Sequence, residues 1–295
     1  MPIDADTLRR WPLPPVRQTY STRDTILYAL GLGLGQDPLD PNQLRFVYEE
    51  APGGLRALPT MAVVLGSPGF WARDPATGID WVRILHGEQE LELHAPLPAA
   101  ATIVGQTRVT HLVDKGEGKG ALMYSQRTIT EADSGRLLAT ARSVSFMRGD
   151  GGFARNGQVS DTPPPARAAT PDTPPDRVVE MRTRPEAALV YRLSGDYNPV
   201  HADPAVAQRA GFERPILHGL CTFGVTGHAL LSALCDDDPT RLAQIGARFS
   251  SPVYPGETLR VEIWGSGEDV RFRTRALERD IVVLSHGTAK TRPAA

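Results

Sequence analysis

Cysteine is almost missing from this chain: two of 295 residues, Cys221 and Cys235. A disulfide framework is thereby excluded. Both cysteines fall on what reads as one apolar helix, which at 1.5 Å per residue separates them by about 21 Å, far beyond a bridge. Free buried thiols fit a reducing compartment, and a cytoplasmic location is expected. A run of 18 apolar residues is also lacking, so no membrane span is expected. Charge of one sign is not in surplus: 32 basic residues face 34 acidic ones, for a net charge of −2. A nucleic-acid binder would show a basic excess. No H-E-x-x-H pattern occurs, and a metal site is not expected. The opening MPIDADTLRRW has no apolar core of a signal peptide, and the closing TRPAA does not read as a peroxisomal address.

What is present is globular. Apolar residues make up 41% of the chain, and 28 glycines and 26 prolines punctuate it. At about 150 residues per domain, the length predicts two. The composition breaks over Gly149–Asp176, where DTPPPARAATPDTPPD carries six prolines and almost no large apolar residue. Such density makes an extended, semi-rigid connector. The expected organisation is therefore a first half over 1–150, a linker over 151–176 and a second half over 177–295.

The first half opens on a helix signal, TRDTILYALGLG, with Thr22 read as its cap and Asp24 in the first turn. Strand-like runs follow at Gln43–Glu49, Glu88–His94, Thr102–Val113, Ala121–Thr130 and Arg136–Met147. Their alternation of apolar and polar residues predicts an antiparallel sheet with one buried face. The second half repeats the plan. Arg184-Pro185 opens a short helix, EAALVYRLSG, and Leu220–Cys235 is a helix apolar nearly all round, hence buried. Strands are expected at Ala247–Val253, Thr258–Gly265, Val270–Leu277 and Ile281–Ala289. The fold class is α+β, a sheet wrapped around a helix, and the parallel between halves points to duplication.

One stretch concentrates chemistry. In LSGDYNPVHADPAVAQRAG, Asp203 caps a helix with Pro204 at its first position, and Gly211 stops it. Ser194–His201 is therefore a loop. Gly195 and Asn198-Pro199 tighten it, which brings Asp196, Asn198 and His201 together. A carboxylate, an amide and an imidazole on one bend can hold and activate a water. Taken singly, Asp196 and Asn198 are ordinary turn formers and His201 an ordinary surface residue; together they read as a site. The following RPILHGLCT places Gly219 at the start of the buried helix. Its unpaired N–H can meet a developing oxyanion, or it is only a helix start satisfied by water. LHGEQ at Leu85–Gln89 echoes ILHG without the acidic loop, and His86 alone reads as structural. DKGEGK at Asp114–Lys119 is a turn whose lysines either meet a phosphate or stay solvated. Glu49, a lone carboxylate, reads as structural.

The segments YRLSGDYNPVH and GFERPILHGLCTFG resemble the signature of the R-specific enoyl-CoA hydratase 2 family, the MaoC-like group that includes the hydratase region of peroxisomal multifunctional enzymes. STRDTILYALGLG, LRFVYE, ALPTMAVV, LHGEQELELHAPLP and DKGEGKG are similar to the family's first half, and ARFSSPVYPGETL to its later part. The resemblance implies a double hotdog fold, each half a sheet around a long helix. It implies hydration of trans-2-enoyl-CoA to (3R)-3-hydroxyacyl-CoA and the reverse, with Asp196 and His201 as catalytic pair, Asn198 orienting the water and the Gly219 N–H on the thioester oxygen. His86, Gly87, Lys115, Tyr197, Pro199, Val200 and Phe249 would contact substrate. No cofactor beyond the substrate's own CoA is implied, and a homodimer is. The first half would be a degenerate copy with room for a longer acyl chain, in a stand-alone version without fused dehydrogenase or sterol-carrier parts. Three rivals share these residues: a dehydratase for carrier-protein or specialised (branched or dicarboxylic) thioesters, a non-catalytic acyl-CoA binding module, and a hotdog thioesterase.

Overall fold

A short helix α1 (Ala5–Arg9) begins at Asp4, whose carboxylate accepts from the Thr7 N–H. The strand β1 (Val16–Tyr20) leads into α2 (Thr22–Gly31). Ser21, and not the expected Thr22, caps α2: the Asp24 carboxylate accepts from the Ser21 N–H and hydroxyl, both at 2.8 Å. The computed structural model describes residues 3–37 and 39–294. Residues 1, 2 and 295, at the outer ends of the two expected halves, lie outside them, as do the first two residues of MPIDADTLRRW and the last of TRPAA.

The Gln43–Glu49 run is not a strand but the helix α3 (Pro41–Val47). Asp40 accepts from the Asn42 N–H and Pro41 stands at its first turn, the same Asp-Pro start that marks 203–204. Only Phe46 on it is fully buried. The alternation of LRFVY was a false strand signal, and the cap decided.

Four long strands follow: β2 (Ile84–Leu93), β3 (Ala101–Asp114), β4 (Ala121–Glu131) and β5 (Leu137–Met147). The second half supplies β6 (Arg177–Arg182), α4 (Ala187–Tyr191), α5 (Pro204–Arg209), α6 (Gly219–Leu234), β7 (Leu242–Phe249), β8 (Thr258–Ser266), β9 (Asp269–Ala276) and β10 (Ile281–Thr291). All ten strands join one antiparallel sheet in the order β1-β3-β4-β5-β2-β7-β10-β9-β8-β6. The order is mirrored about the β2–β7 pair: β1, β3, β4, β5, β2 on one side, β6, β8, β9, β10, β7 on the other. Each half adds its strands in the same sequence. The edge strands β1 and β6 carry weaker patterns and were not expected from the sequence.

The halves differ in what fills the concave face. In the second, the sixteen-residue α6 lies there, buried from Cys221 to Leu231. In the first, α2 has ten residues, and no long helix precedes β2 among the described residues: a wholly buried five-residue 3-10 turn, Pro59–Val63, is followed by three shorter 3-10 turns. α6 packs tightly on that turn: a Cβ on Gly227 would come 2.5 Å from Thr60 Cγ2. One apolar core runs through both halves, from Ile103 and Ile129 through Leu91 and Ile245 to Val261 and Phe272.

The proline-rich stretch is pinned rather than free. Arg167 crosses the outer face of the sheet at the β2–β7 join and donates to Glu88 at 3.2 Å, Glu90 at 2.7 Å and the Thr288 hydroxyl at 3.2 Å. The Trp264 Nε1–H holds the Thr173 carbonyl at 2.9 Å. No helix among the described residues is long and apolar enough to cross a membrane.

Candidate active site

The bend after α4 is built by its own side chains. Gly195 sits at φ 124°, open only to glycine. The Asp196 carboxylate accepts from the Asn198 N–H at 3.1 Å, and the Asn198 side chain accepts from the Val200 N–H at 3.2 Å. Asn198 thereby caps a 3-10 turn, Pro199–His201, with Pro199 at its first position. This turn aims His201 inward, to 8% exposure, while Asp196 stays at the surface.

The bend is then laced to the entry of α6. The Ile216 N–H reaches the Val200 carbonyl at 3.4 Å, and Leu217 donates to Val253 at 2.7 Å. His201 Nδ1 lies 2.8 Å from the Ile216 carbonyl. A carbonyl only accepts, so Nδ1 carries the proton and Nε2 is left with its lone pair. His218, one residue before α6 and 1% exposed, places Nε2 at 3.1 Å from the Asp196 carbonyl. Its proton is therefore on Nε2, and its buried Nδ1 has no partner among the described residues. The two imidazoles stack at 3.7 Å between centroids. A carboxylate oxygen of Asp196 and a ring nitrogen of each histidine all lie within 4.8 Å of one another.

Burial pulls the His201 imidazole below its ordinary range, against a partial lift from the Ile216 carbonyl and the Asp196 charge. Burial does the same to His218, and its stacked neighbour adds to it. Both are neutral at pH 7, and His201 can take a proton. The donor set of this trio is one a metal would accept, but its geometry is not. The two imidazoles are stacked, 3.7 Å between centroids and inclined by 26°, so their rings lie face to face and are not splayed around a common point as ligands of one ion would be.

Beside the trio, α6 begins. The His218 carbonyl accepts from Cys221 and Thr222 at 3.0 and 3.1 Å, while the Gly219 N–H has no acceptor among the described residues. It stands at the positive end of a long helix. A side chain at 219 would be 3.1 Å from the Phe249 ring, and that ring packs on His86 at 4.7 Å. His86 is thus brought to the site, although it lies in the first half.

His86 and Gly87 are not a second helix start. They lie on β2, where the ladder to β5 slips between His86 and Glu88. The ILHG echo is therefore one of sequence only; the counterpart of the α6 entry is Leu58-Pro59. Lys115 is not gathered in. Its ammonium lies 5.1 Å over the Phe146 ring, on the turn between β3 and β4, and Phe146 pairs with Leu85, next to His86. Tyr197 is 58% exposed beneath the Arg192 guanidinium at 4.8 Å. Pro199 and Val200 shape the turn itself. Glu49 is exposed in the turn after α3. A cavity of about 300 Å³ between Leu55, Arg56, Leu97 and Arg292 includes no member of the trio.

Sequence reasoning treated His218 only as a helix start. Its signal was there, a histidine directly before the glycine, but no spacing rule says that a residue 17 positions after His201 will stack on it.

Comparison with known proteins matches residues 166–286 to a MaoC like domain and residues 18–149 to the MFE-2 hydratase 2 N-terminal domain. The chain is 41% identical to the peroxisomal enoyl-CoA hydratase 2 of Arabidopsis thaliana, over 96% of this chain and 94% of that one. It superposes on a MaoC-like dehydratase from Phytophthora capsici with a TM-score of 0.86 and 36% identity, over 98% and 99% of the two chains. A Mycobacterium tuberculosis protein with a double hotdog fold matches with a TM-score of 0.54 at 16% identity, over 95% and 94%, a likeness of fold alone.

Proposed function

From membership in the MaoC-like hydratase 2 family, to which this chain belongs, we propose that it adds water to trans-2-enoyl-CoA thioesters to give (3R)-3-hydroxyacyl-CoA, and catalyses the reverse dehydration. The observation that carries the reading is the cluster of the Asp196 carboxylate and the His201 and His218 nitrogens within 4.8 Å, beside the free Gly219 N–H.

The roles follow from the hydrogen bonds. With Nδ1 committed to Ile216, His201 Nε2 is the free base. It takes a proton from a water that it shares with Asp196, the water oxygen bonds to C3, and the electron pair of the C2=C3 bond moves toward the thioester. A proton returned to C2 from the same pair completes the addition on one face. The thioester oxygen gains charge during this step, and the Gly219 N–H meets it. One such donor is typically worth about 3 kcal/mol. Asn198 acts through the turn it caps, holding Asp196 and His201 in place. His86 and Phe249 flank the thioester from the first half and β7. Tyr197, Pro199 and Val200 border the entrance. Lys115 and Gly87 stand at the sheet end where the CoA phosphates would lie. All atoms transferred come from water, so no cofactor or metal is called for.

The second half (177–295) then carries the chemistry, and the first (1–150) shapes the acyl site across the pinned linker (151–176). We further assign a homodimer and a cytoplasmic setting, the latter supported by the free buried thiols Cys221 and Cys235. Sedimentation and fractionation of the native host test these. The reaction is tested with crotonyl-CoA. Asp196→Asn and His201→Ala should each lower kcat by about 10²–10⁴-fold with the thermal melt retained, and the product should be the 3R alcohol. Full turnover in either variant, or a 3S product, would reject the assignment.

A further inference from the structure

The concave face of the first half carries a polar seam. Directly opposed residues of an antiparallel pair share a face. Reading across the ladders, His86 on β2 lies opposite Ser145 on β5, Gln89 opposite Ser143, Ser143 opposite Ser125 on β4, and Arg127 opposite Thr107 on β3. On one side of this seam lie Ile103, Ile129 and Ala139 of the main core. On the other lie Val109, Met123 and Met147 of a separate apolar cluster. The seam divides them, and Ser125, Arg127, Ser143 and Ser145 along it are partly open to solvent. In the second half α6 covers the equivalent face, where Thr274 is fully buried and meets the Thr226 hydroxyl at 3.0 Å. In the first half the turn Pro59–Val63 is too short to do so.

Arg127 is the unusual member. One terminal nitrogen donates to the Val63 carbonyl at 2.5 Å. Its Nε is sealed from water with no acceptor, and so is the Thr107 hydroxyl facing it. No carboxylate pairs with this guanidinium among the described residues. Burial alone pulls it down to about 10. Buried cations are normally paired, and a guanidinium fork is shaped for a carboxylate. Strand spacing puts the backbones of Arg127 and His86 roughly 16 Å apart along the seam, and the Arg127 charge acts on the His86 imidazole, so the guanidinium is within reach of a chain whose thioester lies at Gly219.

We propose that the seam receives the acyl chain of the substrate and that Arg127 selects chains ending in a carboxylate. The proposal rests on the hydratase reading above and narrows its substrate class to ω-carboxyl enoyl-CoA thioesters. The small hydroxyls along the seam would keep the chain's path hydrated until the carboxylate meets Arg127 and the Thr107 hydroxyl.

The test is the ratio of kcat/KM for an ω-carboxyl trans-2-enoyl-CoA over that for the uncharged enoyl-CoA of equal length, measured over several lengths. The natural protein should show a ratio of at least 10 at one length. Arg127→Met, which keeps most of the volume, should bring the ratio to one or below, and Arg127→Lys should retain part of it. Added salt should lower the ratio in the natural protein. A ratio at or below one at every length, or one that survives in Arg127→Met, would overturn the proposal. Should Arg127→Met fail to fold, the natural protein and Arg127→Lys still decide it. Absence of turnover on any enoyl-CoA would instead strike at the hydratase reading itself.

Discussion

The protonation of one histidine sets the working range of the site. His201 must be neutral to act as base, and burial holds its imidazole below the ordinary 6.5. The rate should therefore rise with pH through a midpoint below 6.5 and be level at neutrality. A pH profile of kcat/KM on crotonyl-CoA measures this, and a rising limb centred at or above 6.5 would contradict it. The sign for stability is the same. The unfolded chain takes up protons near pH 6.5 while buried His201, His218 and His228 resist them. The stability their neutral forms supply is complete above 6.5 and is lost as pH falls through the lower folded values. At this scale Asp196, Asn198 and His201 were readable in the sequence because they lie within six residues of each other. His218 was not, because its place over His201 depends on the Val200–Ile216 lacing.

Among the elements, α6 is the one whose position matters most, since it begins directly after His218 of the Asp196–His201–His218 cluster. Its glycines let it sit close. A Cβ at 224 would meet the Leu32 side chain at 2.7 Å, whose flexible end can move. At 227 it would meet the stiff, branched Thr60 at 2.5 Å in the wholly buried turn. Gly227→Ala should accordingly destabilise by about 1–3 kcal/mol, the cost of overpacking, even though alanine favours helix. Denaturant unfolding reads the difference, and an unchanged or raised midpoint would mean that α6 and the turn yield to each other. The helix start marked by Asp-Pro was a sound guide at 203–204, and the same pair at 40–41 went unused. The strand misread at Gln43–Glu49 arose where alternation was weighed without the cap before it.

For the molecule as a whole, the join of the two halves is the point of dependence. Arg167, with its side chain 13% exposed, ties the linker to Glu88 and Glu90 of β2 and to Thr288 of β10, across the β2–β7 pair. A Cβ on Gly246 of β7 would collide with its guanidinium, so the strap lies directly on the sheet. Arg167→Ala should lower stability by about 1–3 kcal/mol, the range for losing hydrogen bonds to charged groups, and should expose residues 157–176 to proteolysis. Unchanged cleavage and unfolding would show the strap to be incidental. By itself the sequence determined most of the long elements and the Asp196–His201 bend, because caps, turn residues and alternation act over a few neighbours; it missed the edge strands β1 and β6 and misread α3. Only the tertiary structure decided that both halves share one sheet, that His218 and His86 lie beside Asp196 and His201, and that Arg127 lies without a carboxylate partner on a polar seam. Those outcomes depend on strand register and on which face each half leaves open, and neither is written in any short stretch of residues.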